Sequence, residues 1–304
     1  MDLSIVIVNW NTREYLDRCL KSVLCELEGL EYEIFVVDNA SEDGSVDMVR
    51  VRYPQVRLIA NEDNPGFARA NNMAIQESRG KYILLLNPDT EMRAGALAVL
   101  LEFLGKTPRA GAAGARLLNA DGSLQTSAYP EPTLWRELWR LFHLDIFRPY
   151  ANYPMHTWEL KQPRRVDVLM GACVLLPRKA LDAVGLFDER FFMYSEEVDL
   201  CQRLRQDGWQ LYWVPQAEVI HYGGQSTQQA AEEMFLRLYQ GKIMYFRKHY
   251  PGLAVQAYKL ILLLASLSRL ALTPLAYLES PGKREQHLKL SNNYRRLVTS
   301  LAGF

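Results

Sequence analysis

An excess of charge of either sign is what this 304-residue sequence lacks most plainly. Lys and Arg total 35, Asp and Glu total 35, and the formal net charge is zero. That balance excludes the basic footprint of a general nucleic-acid binder, so no nucleic-acid partner is expected. Cysteine is scarce as well. Cys19, Cys25, Cys173 and Cys201 are dispersed without a C-x-x-C pair, which argues against a zinc or dithiol centre and for buried thiols in a reducing cytosol. The start, Met1-Asp2-Leu3-Ser4, has no basic n-region and no small-residue cleavage site, so a cytoplasmic place of synthesis and action is expected. The apolar run Leu260 to Leu272 falls short of the ~20 residues a membrane span needs, and Arg269 and Pro274 interrupt it. With 49% hydrophobic and 23% charged residues, the chain can bury a substantial core, which excludes a disordered or fibrous protein.

The neutral average conceals an acidic body and a basic tail. Residues 226–304 carry 11 Lys or Arg against four Asp or Glu, and residues 1–225 carry 24 against 31. Along the body, short apolar runs alternate with helical patterns. Leu3 to Val8 precedes a helix in which Leu16, Leu20, Val23 and Leu27 share a face, with Thr12 as its N-cap. Strands at Ile34 to Val37, Val56 to Ala60 and Tyr82 to Leu86 alternate with helices at Asp43 to Arg52 and Phe67 to Ser78. This order predicts an α/β fold with a doubly wound, mostly parallel sheet, its central strands apolar throughout because both faces are covered. Residues 120–165 read as an irregular insertion. Regular structure resumes with Val166 to Met170, Cys173 to Leu176, helices near Arg178 to Val184 and Ser195 to Gln206, and a strand at Leu211 to Val214. From Thr227 onward the pattern is helical. The expected organisation is a catalytic domain over residues 1–225 and a basic helical extension over 226–304.

In an open parallel sheet, ligands bind beyond the carboxyl ends of the strands. Those ends carry polar residues here: Asn9, Asn11 and Thr12 after the first strand, Asp38, Asn39 and Ser41 after the second, Asn61 to Asn64 after the third, and Asn87 and Asp89 after the fourth. Asn and Asp are also favoured in turns on their own account, but four successive strands ending this way point to a site. A carboxylate at Asp38 can accept the imide N–H of a uracil or thymine ring. Asp89 can coordinate a hard divalent cation, since Mg²⁺ takes one or two carboxylates plus substrate phosphates. Between them, Asn64, Gly66, Phe67 and Asn71 belong to a segment with close backbone approach and a helix start, suited to ribose or pyrophosphate.

The ordered set Val8-Asn9-Trp10-Asn11, Val37-Asp38-Asn39-Ala40-Ser41, Asn64-Pro65-Gly66-Phe67, Asn87-Pro88-Asp89-Thr90 and Glu196-Glu197-Val198-Asp199-Leu200 resembles the family 2 glycosyltransferases of the GT-A fold, in particular their rhamnosyltransferase-like branch. The resemblance covers about residues 1–225. It implies inverting transfer from a nucleoside-diphosphate sugar, a UDP- or dTDP-sugar, with rhamnose the sugar of that branch. The acceptor it implies is a saccharide or lipid-linked saccharide in cell-surface polysaccharide synthesis. Asp38 then faces the base and Asp89 stands for the second acid of the family's metal-binding D-x-D, whose first acid is replaced by Asn87. The cofactor is Mg²⁺ or Mn²⁺, and His221, just before Tyr222-Gly223-Gly224, resembles a position that completes metal coordination.

Inversion by direct displacement needs a base within hydrogen-bond reach of the acceptor hydroxyl. With Ser195 as cap, Glu196 and Glu197 fall in the first turn of a helix, whose dipole favours the ionised form, while Asp199 and Arg203 are spaced to pair. The family more often has Glu-Asp where this chain has Glu196-Glu197, and Glu197 is carried over as the base. The apolar helix of the tail, flanked by Lys242, Arg247, Lys248, Lys259, Lys283 and Arg284, fits a membrane surface contacted through residues 253–304. It would then be peripheral on the inner face, and packing on the catalytic domain or on a second subunit as a homodimer is the alternative. Two other functions stay open: a catalytically inactive nucleotide-sugar-binding scaffold, and a sugar nucleotidyltransferase. The latter is disfavoured because Asn9-Trp10-Asn11-Thr12 stands where such enzymes carry a Gly-rich basic loop.

Overall fold

Continuous apolar runs become the centre of one large sheet. The computed structural model describes residues 1–278 and 280–304. Contacts divide them into two compact units, residues 1–131, 154–192 and 196–229 in the first and 132–153, 193–195 and 230–304 in the second.

The first unit begins with β1 (Leu3–Asn9), α1 (Arg13–Leu24), β2 (Tyr32–Asn39), α2 (Ser45–Arg52), β3 (Arg57–Asn61), α3 (Phe67–Glu77) and β4 (Tyr82–Leu86). It continues through β5 (Thr90–Met92), α4 (Ala96–Lys106), β6 (Ala110–Leu118) and β7 (Ala128–Tyr129). After the second unit's α5 (Leu134–Leu141) come β8 (Arg164–Val166), β9 (Val168–Leu169), β10 (Cys173–Pro177), α6 (Arg178–Val184), α7 (Glu196–Gln206) and β11 (Gln210–His221). The sheet order is β3-β2-β1-β4-β10-β6-β11-β5, with β8 on β11 and a separate β7-β9 pair.

β1 to β4 are mutually parallel, and β6 and β11 run the same way, because β10 lies antiparallel to both β4 and β6. The sheet is therefore mostly parallel but mixed, as the fold class requires. Its core packs α1, α4 and the strand interiors together through Leu16, Leu20, Val23, Ile5, Ile7, Leu84, Leu97 and Leu100, all essentially inaccessible. β6 is a strand despite the sequence Ala-Gly-Ala-Ala-Gly. A Cβ at Gly111 would lie 2.6 Å from Trp209 Cβ and one at Gly114 2.6 Å from a Leu169 methyl, so only glycine admits those neighbours.

Several local expectations change. Thr12 occupies the N-cap of α1 without capping it; Asp43 Oδ2 accepts the Arg13 N–H instead, at 2.7 Å. The strand expected over Leu211 to Val214 reaches His221, with its register shifting between Val214 and Glu218, where Pro215 cannot donate to a ladder. Residues 120–165 include β7 and α5 rather than irregular chain alone. Cys25 is exposed, although Cys19, Cys173 and Cys201 are buried as expected.

The second unit consists of α5, α8 (Ala231–His249), α9 (Gly252–Ala271) and α10 (Pro281–Ser300) with short connections. α9 is 20 residues long. Residues 252–278 are long and apolar enough to cross a membrane by length and composition, with 22% of their most apolar window buried, which corrects the reading of this run as too short for a span. Within the unit, Glu137 on α5 is fully buried and accepts from Arg140 at 2.5 Å and from Lys242 at 2.7 Å. Burial pushes the Glu137 carboxyl up, but the two cations outweigh it and hold the group below its ordinary range.

Candidate functional site

Because β1, β2, β3, β4, β6 and β11 point the same way, their carboxyl ends share one edge. Asn9, Asp38, Asn39, Asn61 and His221 close their strands there, and Asn87 and Asn119 follow theirs directly. Strand polarity alone thus gathers residues more than 200 positions apart.

At one end of the edge Asp38 is 1% exposed. Its Oδ2 accepts from Asn9 Nδ2 at 2.7 Å and its Oδ1 from the Ser41 N–H at 2.8 Å. Asn9 Nδ2 also reaches Ser41 Oγ at 3.1 Å, Asn9 Oδ1 takes the Thr12 hydroxyl at 2.7 Å, and the Asn11 N–H donates to Ser41 Oγ at 2.8 Å. Asn11 and Ala40 sit at φ +50° and +58°, a region that residues with a Cβ enter at a cost. The side-chain bonds across the two turns hold that geometry. Each carboxylate oxygen of Asp38 keeps a further lone pair beyond those used internally.

A run of amides continues from there. Asn61 Nδ2 donates to Asn39 Oδ1 at 3.0 Å, Asn39 Nδ2 to Asn64 Oδ1 at 3.2 Å, and the Gly66 N–H to the same Asn64 oxygen at 3.0 Å. Gly66 has φ +90°, and a Cβ there would stand 2.5 Å from the Phe192 carbonyl oxygen, so no other residue fits. That carbonyl accepts the Phe67 N–H at 2.7 Å. Asn71 is not joined to this chain. It is buried on α3 and its amide returns to the Phe67 carbonyl at 2.9 Å. Asn72, passed over in the sequence, clamps the Phe187 backbone, donating to its carbonyl at 2.9 Å and accepting its N–H at 3.0 Å.

At the other end, His221 Nε2 lies 3.3 Å from Asp89 Oδ1 and 3.4 Å from Asn87 Nδ2. Pairing of β5 with β11 sets His221 opposite Thr90, and the Tyr222 N–H donates to the Asp89 carbonyl at 2.9 Å. Asp89 and His221 side chains are each 8% exposed. Among the described residues no cluster of three His, Cys, Asp or Glu side chains could hold a metal by itself. One carboxylate and one imidazole nonetheless fit a divalent cation that takes its remaining donors from phosphates, as Mg²⁺ commonly does. Behind the imidazole, Gln125 Oε1 is 2.6 Å from His221 Nδ1. Nothing in the sequence marked Gln125 beyond the Asp121-Gly122 turn signal before it.

The acids of α7 adjoin this end through the loop before β10. Its Ala172 carbonyl accepts the Asn87 N–H at 2.9 Å, and a Cβ on the preceding Gly171 would stand 3.8 Å from Glu197 Cβ. Glu196 is buried, and its Oε2 has no hydrogen-bond partner among the described residues. Burial, and then the neighbouring Glu197, push its carboxyl well above the ordinary range. The expectation that the helix dipole keeps this acid ionised is therefore corrected: desolvation outweighs a dipole worth ~0.3–1 kcal/mol. Asp199 and Arg203 pair as their spacing suggested, at 2.8 Å, and Arg203 also donates to the carbonyls of Val184, Gly185 and Leu186. A cavity of about 430 Å³ lined by Lys81, Tyr82, Leu104 and Pro177 opens at the opposite edge of the sheet, away from all of these groups.

Comparison with known proteins gives this arrangement a context. Residues 4–185 match the family model described as Glycosyl transferase family 2. The N-acetylglucosaminyl-diphospho-decaprenol L-rhamnosyltransferase of Mycobacterium tuberculosis is 34% identical over 244 residues, 74% of this chain and 77% of that protein. The low-salt glycan biosynthesis hexosyltransferase Agl10 of Haloferax volcanii is 28% identical over 225 residues, 72% of this chain and 67% of its own length. Among solved structures, the mannosyltransferase PcManGT of Pyrobaculum calidifontis, in complex with GDP-Man and Mn²⁺, superposes with a TM-score of 0.57. It is 18% identical, with 99% of this chain and 84% of that one covered. S. aureus TarS 1-349 gives 0.54 at 14% identity, over 100% and 92%. At these identities the structural likeness speaks for the fold.

Proposed function

The chain belongs to glycosyltransferase family 2 and is a glycosyltransferase, and on that premise we propose that it transfers a sugar, rhamnose in the first instance, from a UDP- or dTDP-sugar to a lipid-linked saccharide with inversion. The observation that carries the reading is the shared edge. Asp38 and its hydrogen-bonded turn lie at one end, the Asp89–His221 pair at the other, and Glu197 starts beside the loop that anchors Asn87.

In this reading the free lone pairs of Asp38 accept from the base, and Asn39, Asn64 and the Gly66 backbone line the ribose side. Asp89 and His221 hold a divalent cation, which when bound supplies positive charge against the diphosphate. Glu197 accepts the proton of the acceptor hydroxyl as that oxygen attacks the anomeric carbon, and nucleoside diphosphate leaves from the opposite face. Burial pushes the Glu196 carboxyl upward and so disfavours a second negative charge beside the base. The mycobacterial relative's lipid-linked substrate supports a lipid-linked acceptor here. Exposed Leu260, Leu264 and Leu267 on α9, with Lys259 beside them, support docking of the helical unit on an anionic inner-leaflet surface.

The test is turnover of a donor panel with Mg²⁺ or Mn²⁺. Release of UDP or dTDP that Asp89→Ala abolishes supports the assignment. Binding of donors without turnover in any combination would leave the inactive scaffold. Co-sedimentation with phosphatidylglycerol vesicles but not phosphatidylcholine vesicles is expected, and a dimer that ignores both would replace the membrane by a second copy.

A further inference from the structure

The hairpin that follows β6 contains a chain of side chains whose hydrogen bonds run in one direction toward His221. Asp121 Oδ1 accepts both the Ser123 N–H, at 2.9 Å, and the Ser123 hydroxyl, at 2.6 Å. Those two bonds hold the Asp121 carboxyl below its usual range, so it has no proton to give back. Having spent its single hydrogen, Ser123 Oγ can only accept, and it does so from Asn119 Nδ2 at 2.9 Å. Asn119 must then turn Oδ1 the other way, where it takes a proton from Gln125 Nε2 at 2.9 Å. The second hydrogen of that amide goes to the His221 carbonyl at 3.2 Å. Gln125 is left with only its oxygen for His221 Nδ1, 2.6 Å away. An amide oxygen has no hydrogen, so the imidazole hydrogen must sit on Nδ1.

We propose that this hairpin, through Gln125 as a positioning residue, fixes His221 as the Nδ1–H tautomer and so leaves Nε2 an unprotonated acceptor between Asp89 and the Asn87 amide, as a donor for a divalent cation. The inference rests on the metal reading given above. Two lone-pair atoms, Nε2 and Asp89 Oδ1, then face each other at 3.3 Å, with the Asn87 amide 3.4 Å from Nε2 as its donor, and a cation between them relieves that arrangement. Outer partners that orient a ligating imidazole typically matter 10–100-fold for metal affinity. The hairpin itself is well suited to holding register. The Gly122 N–H closes the turn on the Asn119 carbonyl at 2.9 Å, the Asn119 N–H bonds the Ser123 carbonyl at 2.8 Å, and Gly122 takes φ +84°, which glycine adopts freely.

The test uses ¹⁵N-histidine-labelled full-length protein, without metal, at about pH 8, above the ordinary imidazole range. Long-range ¹H–¹⁵N correlation should show His221 as the single Nδ1–H tautomer. An Nε2–H ring, a mixture of tautomers, or a doubly protonated ring would overturn the proposal, with no variant needed. Gln125→Ala should lose the fixed tautomer and weaken Mn²⁺ binding, measured by paramagnetic resonance of the free ion, by about 10–100-fold. Gln125→Glu, which keeps an acceptor at Nδ1, should restore the tautomer and most of the affinity. Equal tautomer populations in Gln125→Ala and the wild type would count against the relay. A wild-type Nδ1–H ring in a protein that binds no Mn²⁺ would support the relay and sink the metal reading instead.

Discussion

Two glutamates in this molecule are almost equally hidden from water, and their carboxyls are shifted in opposite directions. Glu137, in the helical unit, has Arg140 and Lys242 on its carboxylate, and they keep it ionised against the cost of burial. Glu196, in the sheet unit, has an oxygen without a hydrogen-bond partner among the described residues and an acid as its sequence neighbour, and burial pushes its carboxyl well above the ordinary range. Burial pushes both upward, and a cationic partner reverses it at Glu137, whereas the described residues offer Glu196 none. The pair separates a carboxylate tied to two cations from one that has none among the described residues.

The contrast can be tested in descending order of effect. Replacing Glu197, the acid assigned the base role, with Gln should lower kcat by about 10²–10⁴-fold while leaving urea unfolding unchanged. A loss of stability without a loss of kcat would move Glu197 to the structural class. Glu137→Ala should do the reverse. It leaves Lys242 buried beside Arg140 with no anion, at a cost of about 3–5 kcal/mol in urea unfolding, and retains kcat per folded molecule. If Glu137→Ala instead unfolds at the same urea concentration, the ion pair carries no stability.

The smallest effect concerns Glu196. Because its folded-state pKa is raised, its contribution to stability is intact below the unfolded carboxyl value of about 4.3 and is lost as pH rises through the folded value. Glu196→Gln should therefore flatten the decline of Tm above that pH and raise stability near neutrality. Parallel Tm–pH curves for the two proteins would show that Glu196 is not the group responsible.

The polar carboxyl edge of the sheet was legible because its signals are local. An apolar run followed at once by Asn or Asp marks a strand end, and Asn9, Asp38, Asn61 and Asn87 were found that way. Groups defined by packing were not legible. A five-residue apolar run such as β10 reads the same whether it runs parallel or antiparallel. The Ala- and Gly-rich β6 has low strand propensity and is held by pairing with β10 and β11, with Trp209 and Leu169 close against its glycines. The state of Glu196 depends on desolvation, which helix spacing does not register. Gln125 acts through four successive hydrogen bonds across a hairpin, and no single residue type announces such a chain. Likewise α5 joins the C-terminal helices in one compact unit, a long-range association with no mark in its own segment.

The exposure of Cys25 has a practical use. It caps the carboxyl end of α1, a 12-residue helix whose first turn begins at the ligand edge, so its sulfur lies roughly 18 Å from that edge at 1.5 Å per residue. The other three thiols are buried, each pushed up to about 12 by burial, and a maleimide dye or a surface linker should therefore find a single reactive position. The protein can be tethered or labelled there in its unaltered sequence, with the Asp38–Asp89 edge turned toward solution and free to be watched.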